Sequence, residues 1–155
     1  LPENQLDRFL MRIDVGYPSP DDEARVIELR PASTTLHDLK PIMHKEDVVR
    51  LQQAVDAVRL DRSLVEYIVS LANATRRHEA AQVGLSPRGS LALAQAARAA
   101  ALIDGRDYAI PEDVTSNIFR VCAHRVIPRA AVAESEGNAS RRILEDAMRS
   151  VSSPV

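Results

Sequence analysis

The chain has 155 residues, a formal net charge of −2, and 45% apolar but only 3% aromatic residues. The length allows one domain, or one domain with part of another. Balanced charge excludes the broad positive field that holds nucleic acid or an acidic membrane, and a core of Leu, Val, Ile and Ala suits packed helices better than a sandwich. Cys122 is the only cysteine, which excludes a disulfide framework and a Cys-based metal site. No apolar run approaches the roughly 20 residues that span a bilayer, and no secretion signal is visible. The expectation is an excerpt of a longer cytoplasmic protein.

Leu1 to Phe9 reads as a short amphipathic helix, and Leu10 to Val15 alternates apolar and charged residues as a half-buried strand does. Gly16-Tyr17-Pro18 ends it. Ser19-Pro20 opens a second helix with Asp21, Asp22 and Glu23 in its first turn, where the helix dipole favours acid; this explains the acidic run better than metal binding. That helix is predicted to reach Arg30, with Ala24, Ile27 and Leu29 as apolar contacts, and Pro31 stops it. Ala32 to His44 has no period and reads as loop. Four helical segments follow. Glu46–Leu60 carries a stripe of Val48, Leu51, Ala54, Val55 and Val58, and Asp61–Glu79 one of Leu64, Val65, Ile68, Leu71 and Ala72. Ser86–Asp104 is Ala-rich, the expected central helix, with Leu91, Leu93, Ala94, Ala97, Ala101 and Leu102 and a stop at Gly105. Pro111–Arg125 carries Val114, Ile118, Val121 and Cys122, the last a buried small hydrophobe. A polar helix over Ala139–Val151 closes the chain, and Ser152–Val155 is expected to fray. A lone strand needs a sheet, so residues 1–17 read as the trailing end of another domain.

Ser86-Pro87 is a helix start: the hydroxyl can accept a first-turn N–H, and Pro fits the first helical position. Arg88 then sits where the helix end is already partly positive. A cation there favours an anion site, since a guanidinium beside free N–H groups suits phosphate; a lone Arg pointing to solvent is the bland alternative. Arg76-Arg77-His78 is read as matching a helix C-terminus, with a second phosphate or subunit contact as the sharper alternative. His37, His44, His78 and His124 lack carboxylate or Cys partners at metal spacing and are expected to be structural.

Leu1-Pro2-Glu3-Asn4-Gln5-Leu6-Asp7-Arg8-Phe9-Leu10, Gly16-Tyr17-Pro18, Leu85-Ser86-Pro87-Arg88, Gly105-Arg106-Asp107-Tyr108, Pro111-Glu112-Asp113-Val114 and His124-Arg125 together resemble the C-terminal part of a MoxR-type AAA+ ATPase, in order and spacing, to about Arg129. The resemblance implies an all-α lid bundle over residues 18–155, preceded over 1–17 by a helix–strand remnant of the α/β ATPase core. It implies that Arg8 is the arginine finger offered to a neighbouring subunit, and that Arg88 is the sensor-2 arginine on its own subunit's ATP phosphates. It further implies a homo-oligomeric ring, ATP and Mg²⁺ as cofactors of the full-length protein, chaperone-like remodelling, and a client or von Willebrand factor A-type protein partner, with no nucleic acid and no membrane. His124-Arg125 is expected to tie a helix end to neighbouring carbonyls. Gly89 and Ile110 depart from the pattern, where Ala and a capping Thr are usual; the first loosens a helical turn, and the second weakens a helix start by about 1 kcal/mol. No G-x-x-x-x-G-K-[ST] phosphate loop or acidic Walker B strand is present, so this polypeptide alone is expected neither to hydrolyse ATP nor to bind it tightly. A nucleotide-independent helical adaptor is the competing class, and it has no use for Arg8 or Arg88.

Overall fold

A computed structural model describes residues 3–29, 39–130 and 138–154. Helices α1 (Glu3–Leu6), α2 (Pro20–Leu29), α3 (Lys45–Ala57), α4 (Arg62–Arg77), α5 (Pro87–Ile103), α6 (Pro111–Cys122) and α7 (Ala139–Ser150) are joined by β1 (Ala81–Val83) and β2 (Ile127–Pro128). These elements form two compact units, residues 1–12 with 52–155 and residues 13–51.

The larger unit is a helical bundle. Its core is made by Leu64, Ile68 and Leu71 of α4, Leu93, Ala97 and Ala101 of α5, Val114, Ile118, Val121 and Cys122 of α6, and Ile143 and Leu144 of α7, all buried. Small residues on α5 allow its neighbours to approach closely, so the expected central helix is central: it packs against both α4 and α6. The Cys122 thiol is fully enclosed, and burial pushes its pKa up to about 12, which makes it an inert hydrophobe. Leu91 and Val65, assigned to the apolar stripes, face outward instead.

Local chemistry sets the helix ends. Asp61 caps α4 by accepting the Ser63 hydroxyl (2.6 Å) and amide (2.8 Å), and these bonds hold its carboxyl below the usual range. Helix α5 closes at Gly105, whose φ of 75° is the left-handed conformation that glycine adopts without steric cost. Ile110, before α6, makes no side-chain cap bond. The buried Asp113 carboxylate compensates: it accepts the Ile110 amide at 2.8 Å and is clamped by both terminal nitrogens of Arg106 at 2.8 and 2.7 Å. Arg106 and the Ile110 amide hold the Asp113 carboxyl below its ordinary pKa despite the opposing effect of burial, the largest single influence on it.

Two expectations about the start of the chain, one strand and one helix, are corrected. Leu10–Val15 is not a strand; residues 11–19 carry no regular structure, and α1 is shorter than the segment expected to reach Phe9. No neighbouring strand among the described residues offers a ladder, so the backbone bonds elsewhere, as in Arg12 N–H to the Arg120 carbonyl at 2.8 Å. The sheet that does form is antiparallel, pairing Ala81 with Pro128 and Val83 with Ile127. Strands of three and two residues are too short to show alternation.

In residues 13–51, Ser19 caps α2 as expected, accepting the Asp22 amide at 3.2 Å. The apolar contacts expected of this helix are not made: Ile27 and Leu29 are about two-thirds exposed, and Val26 about half. Val48 and Leu51 of α3 are likewise uncovered. Residues 30–38, which include His37 and most of the expected loop, lie outside the described residues.

Candidate functional site

The site is built where α4 ends and α5 begins. Thr75, fully buried in the last turn of α4, donates its hydroxyl to the Ala72 carbonyl (2.8 Å) and accepts the Leu85 amide (2.9 Å). Arg76 donates Nε–H to the Leu85 carbonyl at 2.8 Å and one terminal N–H to Asn73 at 3.0 Å. Arg76 therefore holds the loop that leads into α5, a task neither sequence-based alternative named. His78 of the same triplet faces Asp146 of α7 at 3.4 Å. Gly84 is the residue that permits this closeness: a Cβ there would lie 2.5 Å from the Arg76 Cα and N.

Ser86 then starts α5 as its sequence predicts. It is extended, Pro87 follows in the first turn, and its Oγ accepts the Gly89 amide at 3.1 Å. Gly89 itself is buried, and a Cβ would lie 2.4 Å from Leu85 Cδ1 and 3.3 Å from Arg125 Cδ. Its lack of a side chain makes room for those two residues, a packing reason beyond the looser turn. Arg88 is exposed and, among the described residues, has no hydrogen-bond or ion-pair partner. Arg8 is also exposed and likewise unpartnered.

The tertiary structure brings these two motifs together through their neighbours. Asp7 accepts the Ser86 hydroxyl at 3.0 Å and pairs with Arg125 at 3.1 Å. The Arg125 side chain is 2% exposed, so this is a buried charge. Its second terminal nitrogen donates to the Phe9 and Leu10 carbonyls. Arg125 does bind carbonyls, as expected of it, but they belong to a segment more than 100 residues away rather than to its own helix end. The signal available beforehand was the pairing of one acidic and one basic residue within the two resembling motifs; nothing local identified them as partners.

His124 completes the anchor. Its Nε2 lies 3.1 Å from the Phe9 carbonyl, which can only accept, so Nε2 carries the proton. Nδ1 is buried with no partner among the described residues. Protonating it would enclose a charge, and burial, reinforced by Arg125 and Arg12 and opposed by the Phe9 carbonyl and Asp7, lowers the pKa from its ordinary 6.5. Above 6.5 the group is neutral in both states and its stabilisation is complete. As pH falls below 6.5 the unfolded chain takes up the proton first, so stability declines. Thermal melts between pH 7 and pH 5 are expected to show a smaller drop for His124→Gln than for the unmodified protein; equal slopes would refute the assignment.

Anion chemistry fits this corner. At the start of this 17-residue helix Pro87 has no N–H and the Gly89 and Ser90 amides are taken by Ser86, which leaves the Arg88 amide and its exposed guanidinium as donors without a partner among the described residues. Among the described residues no cluster of three or more His, Cys, Asp or Glu is placed to hold a metal ion.

The AAA lid domain family matches residues 73–147, which contain α5, the capped Ser86 and Arg88. The chain is 43% identical over its whole length to the uncharacterized protein YeaC of Bacillus subtilis and covers 48% of it. It is 40% identical over 82% of its length to the chaperone MoxR1 of Mycobacterium tuberculosis, covering 36% of that protein. It is 30% identical over 81% of its length to protein MoxR of Methylorubrum extorquens, covering 42% of it. In sequence and fold the chain is similar to the MoxR-type AAA+ ATPases. It spans about half or less of the length of these relatives and corresponds to their lid-bearing C-terminal portion. A crystal structure from Cytophaga hutchinsonii, of a protein provisionally named an ATPase, superposes with a TM-score of 0.85 at 29% identity, covering all of this chain and 49% of that one. The all-α lid bundle and the family resemblance thus agree. No helix among the described residues of this chain is long and apolar enough to cross a membrane.

Proposed function

We propose that this chain is the nucleotide-closing end of a ring-forming ATPase. Residues 18–155 act as the lid and residues 1–17 as the trailing end of the ATPase core. Arg88 reaches the phosphates of its own subunit's ATP, and Arg8 reaches the γ-phosphate of the adjacent subunit's ATP. Bound ATP–Mg²⁺ supplies the phosphoryl group that is transferred to water. Around it, Arg88 would offer fixed positive charge at a helix N-terminus, and Arg8 would neutralise charge that develops on the transferring phosphoryl group as its bond to the departing ADP breaks. Parts of the protein beyond this chain supply the phosphate loop and the Mg²⁺ ligands. The hydrolysis drives chaperone-like remodelling of a client, in line with the name of the mycobacterial relative, and a von Willebrand factor A-type protein is the expected partner class.

The observation that carries this reading is the state of Arg88. A cation at the positive end of a helix is locally unfavourable, yet Arg88 stands two residues after the Ser86 cap, exposed and unpaired among the described residues. An adaptor working without nucleotide gains nothing from that arrangement. Arg88→Ala in the full-length protein is expected to weaken nucleotide-dependent turnover by about 10- to 100-fold, the worth of one charge-assisted contact, with an unchanged thermal melt. Steady-state ATPase kinetics check this; turnover equal to wild type would remove the assignment.

A further inference from the structure

We infer that Asp7 is a positioning residue that makes Arg8 and the lid move as one body, so that nucleotide held by one subunit sets the finger presented to the next. The inference rests on the roles proposed for Arg8 and Arg88 and adds the device that links them.

The turn that carries Arg8 is fastened to the lid at three places. The Asp7 carboxylate accepts the Ser86 hydroxyl at 3.0 Å and 3.2 Å, at the start of α5. The same carboxylate pairs with Arg125 at 3.1 Å, beyond the end of α6. The Phe9 and Leu10 carbonyls, on the other side of Arg8, take the other terminal Arg125 nitrogen, and His124 adds a bond to Phe9. Arg8 is thus flanked by anchored residues while its own side chain is free to reach outward. Two residues after Ser86 stands Arg88. A pull on Arg88 by phosphate therefore acts on the helix start whose cap holds Asp7.

A short turn held by one contact could swing independently. Held through a buried charge, a cap hydroxyl and two carbonyls, it has no cheap independent motion, because breaking the set leaves the 2%-exposed Arg125 side chain uncompensated. Coupling between two sites requires an element whose placement both sites bias. The lid with its attached turn is such an element: its own subunit's nucleotide acts through Arg88, and the neighbouring subunit's nucleotide acts through Arg8. Among the described residues, Asp7 is the side chain that touches both the helix start and the buried arginine.

The test is the nucleotide dependence of turnover in the full-length ring. Wild type is expected to show a Hill coefficient above 1, and Asp7→Asn one of about 1, read from the shape of the ATP dependence and not from turnover at saturating ATP. Asn keeps the shape but loses the charge that binds Arg125. Ser86→Ala, which leaves the Asp7–Arg125 pair intact, is the second variant and is expected to lower the coefficient too. It decides the matter if Asp7→Asn fails to assemble. A merely structural role would lower the melting temperature or the yield of rings without changing cooperativity. A wild-type coefficient of 1 overturns the coupling, and so do variants that keep the wild-type value. If Arg8→Ala and Arg88→Ala abolish turnover in the same assay, that failure belongs to the coupling alone; if neither has an effect, the nucleotide roles fail first.

Discussion

Arg8→Ala in the full-length protein is expected to reduce ATP turnover by about 10³-fold or more, the scale on which a finger arginine acts in phosphoryl transfer. The loss belongs in the catalytic constant rather than in nucleotide affinity, because the guanidinium meets charge that grows only in the transition state. The fold should not notice the change. Arg8 is exposed and has no polar partner among the described residues, and such surface substitutions move stability by about 0.5 kcal/mol or less. The distinguishing feature is that the defect acts on the neighbour. Mixing Arg8→Ala subunits with subunits that keep Arg8 but lack a working phosphate loop creates interfaces with every part present, so some activity returns. Coupled ATPase measurements on the separate and mixed proteins decide this; undiminished turnover in the single variant, or no recovery on mixing, would exclude a finger acting between subunits.

Gly84→Ala is expected to destabilise the bundle by about 3 kcal/mol, the upper end of the usual cost of overpacking, and to lower the melting temperature by about 10 °C. The added methyl carbon would sit 2.5 Å from the Arg76 Cα and backbone N and 2.8 Å from its Cγ. Two of those atoms are backbone in the last turn of α4, so no rotamer change relieves the contact. The loop has to lift, and lifting it breaks the Leu85 amide bond to Thr75 and the Arg76 bond to the Leu85 carbonyl. Thr75 is fully buried, so its hydroxyl would be left without that donor. The same loop aims Ser86 and Arg88, so the variant should also lose part of the contribution that Arg88 makes to turnover. A thermal melt within about 2 °C of wild type would show that the approach is softer than the backbone contacts imply.

Much of this protein was readable from short stretches of sequence, because the interactions concerned are short in range. Ser86-Pro87 as the start of α5, Gly105 as its end, the buried stripe on α6 and the enclosed Cys122 are consequences of caps, periodicity and composition within a few residues. What tertiary structure alone decided is everything that depends on residues distant in the chain. Leu10–Val15 alternates like a strand, but alternation supplies no partner, and its neighbourhood is organised by Arg125 and Arg120 instead. Asp7 has no local partner in sequence, and folding places it against Ser86 and a buried guanidinium. Nothing in the stretch around Gly84 shows that the backbone of Arg76 presses where a side chain would be. The apolar residues of α2 have the pattern of a packed face and remain exposed, since periodicity states which side of a helix is apolar and not what covers it.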